Sequence, residues 1–127
     1  MVKDFSIIGC IIVVVIIGHI YAQNMLKRES DEISGELISI KNQIQAGNTE
    51  NIKENINKTY ENWSIKASNW SILADHQEID NIEKTIINVK SAIESEDYTV
   101  ALSKIDESKF LISQIQDKEK IILKNIF

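Results

Sequence analysis

The sequence predicts an all-α protein in which an N-terminal transmembrane helix precedes a four-helix unit made of two αα-hairpins. Proline is absent and glycine occurs four times, so little in the chain interrupts a helix once it has started. The stretch Phe5–Ala22 carries no formal charge, whereas apolar residues recur every three or four positions from Leu26 onwards. We therefore assign residues 1–25 to a membrane anchor and residues 26–127 to a helical bundle domain.

The first element, Phe5–Ala22, has the length of a membrane span. Its 18 residues reach roughly 27 Å as a helix, and the uncharged extension through Leu26 reaches the roughly 30 Å of a hydrocarbon core. Lys27 and Arg28 follow directly, where their charges would reach an interface. We therefore predict an uncleaved signal-anchor that contacts the lipid bilayer, in a single-pass protein of the cytoplasmic membrane.

Two other interpretations of this stretch stay open. A signal peptide cleaved after Ala22 would end in the required small residue, but Ile20 is a poor residue at the third position from that end. A helix buried inside a soluble protein also accommodates a run of Ile and Val. Only four residues precede the apolar run, as in an export signal, so we expect the domain outside the cytoplasm. The count of Lys and Arg slightly favours the opposite orientation.

The next two helices form the first predicted hairpin. No proline separates the anchor from the helix that starts at Leu26, so the two can be continuous. Gly47 supplies a turn, and the second helix is expected to start near Asn48, a capping residue. The predicted core positions are Leu26, Ile33, Leu37, Ile40 and Ile44 in the first helix, and Ile52, Ile56, Tyr60, Trp63, Ala67, Trp70 and Leu73 or Ala74 in the second.

The last two helices form the second predicted hairpin. The polar run Glu94–Asp97 separates them, and Asp97 is expected to cap the final helix. The predicted core positions are Ile79, Ile82, Ile86, Val89 and Ile93 in the third helix, and Ala101 or Leu102, Ile105, Ile112 and Ile115 in the fourth. The C-terminal apolar residues are predicted to fold back onto the bundle; they are Ile121, Ile122, Leu123, Ile126 and Phe127.

An offset of 49 residues superposes the second hairpin on the first. Ile33 then matches Ile82, and the turn residue Asn48 matches Asp97. The apolar stripes and the turns coincide at the same offset, and coincident turns are harder to obtain by chance than coincident stripes. The sequence therefore predicts an internal duplication that gives two similar hairpins.

One polar constellation, Asp75–Asp80, lies where the two hairpins join. On a helix His76 and Asp80 are four positions apart and would be able to share a metal ion or a proton. The ligand set is incomplete, because the domain has no second His and no Cys. The alternative is a turn in which Asp75 caps a helix and His76 is hydrogen-bonded near Trp70.

The two tryptophans are candidates for a ligand platform, although aromatic residues at helical spacing in a small bundle are more often part of the core. With the polar junction they define one candidate interaction or ligand patch. It comprises Trp63, Trp70, Asp75, His76, Glu78 and Asp80. No residue is predicted to be catalytic, to bind a cofactor or to bind a metal.

Charge and motif content exclude several classes of function. The net charge of −5 and the absence of a Lys/Arg cluster argue against a nucleic-acid partner. The sequence contains no nucleophile-base pattern, glycine-rich phosphate loop or His-Glu-x-x-His motif. We therefore predict a protein that is not an enzyme.

Most of the chain resembles a known family. The run Trp63–Ile82, the pair Ala101-Leu102 and the closing Lys124-Asn125-Ile126 are similar to small single-pass proteins of spore-forming Gram-positive bacteria, grouped as domain of unknown function 4363. The resemblance implies an N-terminal membrane anchor and a helical domain, without an established activity or cofactor. Members are often encoded near another small membrane protein, which implies a membrane protein as partner.

Two functions follow from these observations. The first is a membrane-tethered helical module that binds a membrane or envelope partner through a helical face or groove. The alternative is a small-ligand or metal sensor that uses Trp63, Trp70, His76, Glu78 and Asp80.

Overall fold

The computed structural model describes the backbone of residues 2–126 and the side chains of residues 2–118. It contains four helices: α1 (Val2–Gln45), α2 (Ile52–Trp70), α3 (His76–Glu94) and α4 (Tyr98–Ile126). The all-α prediction is confirmed. The predicted folding back of the C-terminal apolar residues concerns side chains from position 119 onwards, which lie outside the described ones.

The predicted anchor and the first bundle helix form one helix, so residues 2–126 contain four helices where the sequence predicted an anchor plus four more. Helix α1 contains 44 residues, which corresponds to roughly 66 Å at the rise of an α-helix. The alternative of a helix buried in a soluble core is wrong, because none of the most apolar 18-residue window of α1 is buried by the rest of the chain. Burial begins at Leu26, and the boundary between residues 25 and 26 stays a prediction.

The helices form an antiparallel bundle in which each packs against the next and α4 returns to α1. Glu29 of α1 contacts Trp70 of α2, whereas Gln43 contacts Asn55, so these two helices run in opposite directions. The turn between α2 and α3 therefore lies at the proximal end of the bundle, defined as the end that adjoins residues 2–25. The turns α1–α2 and α3–α4 lie at the opposite, distal end.

The predicted stripes form the core. All the predicted positions of α1 and α3 are buried, and Tyr60, Ala67 and Ala74 pack against the core while partly buried. The periodicity did not predict four buried hydroxyl side chains, Ser30, Thr59, Thr85 and Ser108. Two of them satisfy their hydroxyl within their own helix: Thr85 donates to the carbonyl of Ile82 at 2.8 Å, and Ser108 donates to that of Lys104 at 2.8 Å.

The turn after α1 is a Schellman motif. The backbone N–H of Asn48 donates to the carbonyl of Gln43 at 2.9 Å, and that of Gly47 donates to Ile44 at 3.1 Å. Gly47 has a φ of 75°, a conformation that glycine adopts without steric cost. The prediction that α2 starts near Asn48 is wrong, because Asn48 completes this motif. Asn51 occupies the N-cap position instead, without a side-chain cap.

The turn after α3 repeats this motif at the offset of 49 residues. The N–H of Asp97 donates to Ala92 at 2.8 Å, and that of Glu96 donates to Ile93 at 3.1 Å. Glu96 occupies the position of Gly47 and has a φ of 59°. The carboxylate of Asp97 accepts from the N–H of Val100 at 3.3 Å, so its predicted capping role is confirmed. The internal duplication itself stays a prediction.

Candidate functional site

Trp63 and Trp70 are fully enclosed by the bundle, each with 0 % of its surface exposed. Their indole rings meet edge to face with 5.2 Å between centroids, a favourable aromatic geometry. Nε1 of Trp70 donates to Oε2 of Glu29 at 2.7 Å, which ties α2 to α1. The structure therefore places both indoles in the core, where a ligand would have to displace other side chains to reach them.

The polar junction lies at the proximal end and is divided among separate roles. Asp75 caps α3 by accepting from the N–H of Gln77 at 3.1 Å, as predicted. Glu78 pairs with Lys118 of α4 at 2.8 Å. His76 and Asp80 are exposed on the first turns of α3. The predicted hydrogen bond of His76 near Trp70 is not found among the described side chains, since the indole N–H of Trp70 is directed to α1.

The described residues contain no group of three or more His, Cys, Asp or Glu that is able to hold a metal ion. The candidate patch is thus split between two core indoles and a junction in which Asp75 and Glu78 already have partners. The sensor interpretation stays a prediction, without a described contact that joins its two halves.

A row of polar contacts joins α1 and α2, and the apolar periodicity gave no sign of it; we call this row the α1–α2 seam. From the proximal to the distal end its pairs are Glu29–Trp70 at 2.7 Å, Glu32–Lys66 at 3.0 Å, Glu36–Asn62 at 2.9 Å and Asn55–Gln43 at 3.1 Å. Lys66 keeps only 12 % of its side chain exposed. The seam fixes which residues of the two helices face each other.

Two of the clefts that border α1 lie at opposite ends of the bundle. The distal cleft, of about 430 Å³, is lined by residues without formal charge: Gly35, Ile38, Ser39, Asn42, Gln43, Ala46 and Asn48. The proximal cleft, of about 150 Å³, lies between α1 and the turn after α2, and its lining is His19, Ala22, Gln23, Leu26, Ile72 and Leu73. The proximal cleft joins the apolar part of α1 to the bundle.

Several large apolar side chains of the bundle are exposed, and the periodicity gave no reason to single them out. Ile65 and Phe110 point outwards from α2 and α4, with 67 % and 60 % of their surfaces exposed. Ile72, in the proximal turn, is 87 % exposed. Isolated apolar residues are common on protein surfaces, so the position of each decides whether it indicates a contact.

Comparison with known proteins gives one match. A family model described as "Domain of unknown function (DUF4363)" matches residues 20–126, which is most of the chain. The chain belongs to the DUF4363 family. The match to DUF4363 begins at residue 20, inside the apolar part of α1, and it includes all four helices of the bundle. No curated protein and no solved structure matches the chain.

Membership of DUF4363 is consistent with the observed architecture and assigns no role to it. Within the described residues one helix, α1, is long and apolar enough to cross a membrane. Its position near the N-terminus is consistent with a signal-anchor or a signal peptide. Family and fold together thus describe a helical DUF4363 domain attached to an apolar N-terminal helix.

Proposed function

We propose that this protein is a membrane-anchored, non-enzymatic helical module that binds another membrane or envelope protein. One observation carries the proposal: no residue of the most apolar 18-residue window of α1 is buried by the rest of the chain, yet the helix continues without interruption into the bundle core. An apolar surface of that length is unfavourable in water and favourable in a bilayer. The anchor is Phe5–Ala22, and the domain lies outside the cytoplasmic membrane.

The anchoring step is tested by fractionation of cells that express the full chain. We expect the protein in the membrane pellet after an alkaline carbonate wash, with an intact mass that still includes Phe5–Ala22. A mature chain that starts after Ala22 would identify the segment as a signal peptide. Recovery of the full-length chain in the soluble fraction would contradict the proposal.

The distal cleft is the surface that we assign to the partner. Its lining carries no formal charge, although charged residues make up 26 % of the chain. Charged residues are depleted at the centres of protein–protein interfaces. Ile38 is the large apolar residue of this lining and is 39 % exposed.

Photo-crosslinking in intact cells tests this assignment. A benzophenone amino acid at position 38 samples the distal cleft, and the same residue at position 87 is a matched control, because Ile87 of α3 is 43 % exposed. We expect a crosslinked membrane or envelope protein from position 38 and a several-fold weaker product from position 87. Crosslinks to lipid and to the chain itself alone would contradict the proposed partner.

A further inference from the structure

We propose that the proximal turn, residues 71–75, inserts Ile72 into the lipid interface beside the anchor. This inference rests on the proposed function, because it requires the anchor to lie in a bilayer. It adds a second, monotopic contact between the bundle and the acyl-chain boundary. The observations that carry it are the depth of Ile72 relative to the anchor, its exposure, and the order of the turn that presents it.

The depth of Ile72 follows from the proximal cleft. Ile72 lines this cleft together with His19, Ala22 and Gln23 of α1. With Phe5–Ala22 in the hydrocarbon core, His19 and Ala22 lie in the last turn of the span and Gln23 directly follows it. Ile72 therefore lies at the level where the acyl chains give way to headgroups.

The chemistry of the turn suits that depth. Residues 67–74 carry no formal charge. Ile72 is more exposed than any large apolar side chain described in residues 2–25, with 87 % of its surface accessible against 81 % for Val2. The proximal turn carries one formal charge, on Asp75, which caps α3. The distal turns, residues 46–51 and 95–97, contain no exposed large apolar residue. The exposed isoleucine thus occurs in the turn at the anchor end.

The turn that holds Ile72 is ordered on both sides. The N–H groups of Leu73 and Ala74 donate to the carbonyl of Trp70 at 2.8 and 2.9 Å. Ala74 packs against the core, and Asp75 caps α3. Ile72 is therefore held outwards on a backbone fixed by the bundle, so its insertion would cost little additional conformational entropy.

Depth-dependent quenching in vesicles tests the inference. The full-length Cys10→Ala protein receives one cysteine at position 72, labelled with an environment-sensitive fluorophore, and is reconstituted into phosphatidylcholine with doxyl groups on the acyl chains. Val14→Cys is the reference for the anchor, because Val14 lies within Phe5–Ala22. Ile65→Cys is the matched control, an exposed isoleucine of α2 seven positions before Ile72.

We expect strong doxyl quenching at positions 14 and 72 and several-fold weaker quenching at position 65. Quenching at 14 but not at 72 would overturn the inference and leave the anchor in place. This holds whether the water-soluble quencher iodide reaches the label at 72 or protein covers that label. Equal quenching at 65 and 72 would also overturn it, because the whole side of α2 would then contact lipid. No quenching at any position would contradict the proposed function itself. Thermal unfolding by circular dichroism verifies that each variant keeps the bundle.

Discussion

Trp63 and Trp70 lie on the same face of α2, but the polar atoms of the two indoles have different surroundings. Nε1 of Trp70 donates to Glu29 at 2.7 Å, whereas the indole N–H of Trp63 is buried without a hydrogen-bond partner among the described residues. An unpaired buried N–H is unfavourable. The net contribution of Trp63 must therefore come from apolar packing, and that of Trp70 from packing together with one charge-assisted hydrogen bond.

Replacement of Trp63 by alanine tests the packing term. We expect Trp63→Ala to lower the free energy of unfolding by about 3–5 kcal/mol, because it leaves a large cavity in the core. The measurement is urea unfolding of the full chain in detergent micelles, followed by circular dichroism. Ile65→Ala is the control on the exposed side of the same helix, with an expected change within about 0.5 kcal/mol. A loss below about 1 kcal/mol for Trp63→Ala would contradict its burial.

The hydrogen bond of Trp70 is testable by a double-mutant cycle. We expect Glu29→Ala to lower the free energy of unfolding by about 1–3 kcal/mol, because the buried indole N–H loses its acceptor. In the background Trp70→Phe this loss should largely disappear, since no donor remains. Glu61→Ala, at an exposed position of α2, provides the control. Equal losses from Glu29→Ala in both backgrounds would show that the two side chains are not coupled.

At this scale the sequence predicted apolar positions far better than polar ones. Spacing identified both indoles as core residues, because one face of a helix recurs with a fixed period. Spacing gave no sign that Glu29 would accept a hydrogen bond from Trp70, since the partners are 41 positions apart. A Glu in an amphipathic pattern is also typical of a solvated face. Ser108 was missed for a related reason: a small hydroxyl residue fits a buried position when its oxygen is satisfied within its own helix, as that of Ser108 is by the carbonyl of Lys104. Ser30 is buried without a hydrogen-bond partner among the described residues, and its pattern gave no sign of burial.

At the scale of the element, the two distal turns show how one motif is built from different residues. Both end a helix with a residue at positive φ, glycine at position 47 and glutamate at position 96. Left-handed backbone costs an L-residue with a Cβ about 1–2 kcal/mol relative to its usual conformation, and glycine is free of this penalty. The second turn is therefore intrinsically less stable than the first.

Exchanging residues at these positions should move stability in opposite directions. We expect Glu96→Gly to raise the free energy of unfolding by about 1 kcal/mol, and Gly47→Ala to lower it by a similar amount. No atom lies within 4 Å of a Cβ added at Gly47, so the loss would come from the backbone and not from a clash.

The control for this pair is Gly35→Ala, inside the bundle part of α1. Its added Cβ also meets nothing within 4 Å, and its backbone is helical, so we expect a gain of up to about 1 kcal/mol from helix propensity. All variants are compared by urea unfolding under one set of conditions. A loss at Gly35 equal to that at Gly47 would contradict a specific role for the left-handed turn.

Sequence patterns located the elements well and their junctions less well. The stripes gave the four bundle helices, and the caps Asp75 and Asp97 gave two helix starts. The start of α2 was predicted wrongly because asparagine suits both a helix start and the residue after a left-handed turn. Only the backbone geometry around Asn48 decides between the two. The absence of proline allows the apolar segment and the first bundle helix to form one helix. The second half of that helix is also stabilised by its packing in the bundle.

For the whole molecule, the length of the single helix α1 separates its apolar N-terminal part from the α1–α2 turn, which lies at the other end of the helix. Residues 46–51 are exposed, and an exposed turn is a preferred site of proteolysis. With the domain outside the cytoplasmic membrane, we expect proteinase K to cut this turn in intact spheroplasts. A cytoplasmic marker protein should stay intact in the same sample. Cleavage that occurs only after lysis would place the bundle in the cytoplasm.

Because α1 is continuous, the orientation of the side chains about the helix axis in its N-terminal half is coupled to that in its C-terminal half. Each residue turns the helix by about 100°, so the direction of the core stripe from Leu26 to Ile44 determines the direction in which each described side chain of residues 2–25 points. One alanine inserted after Gln23 would rotate the N-terminal half of α1 about the helix axis by roughly a quarter turn relative to the bundle. Adding three more would nearly restore the original azimuth. A partner protein that contacts both halves of α1 would therefore lose contacts after the first insertion and regain most of them after the second.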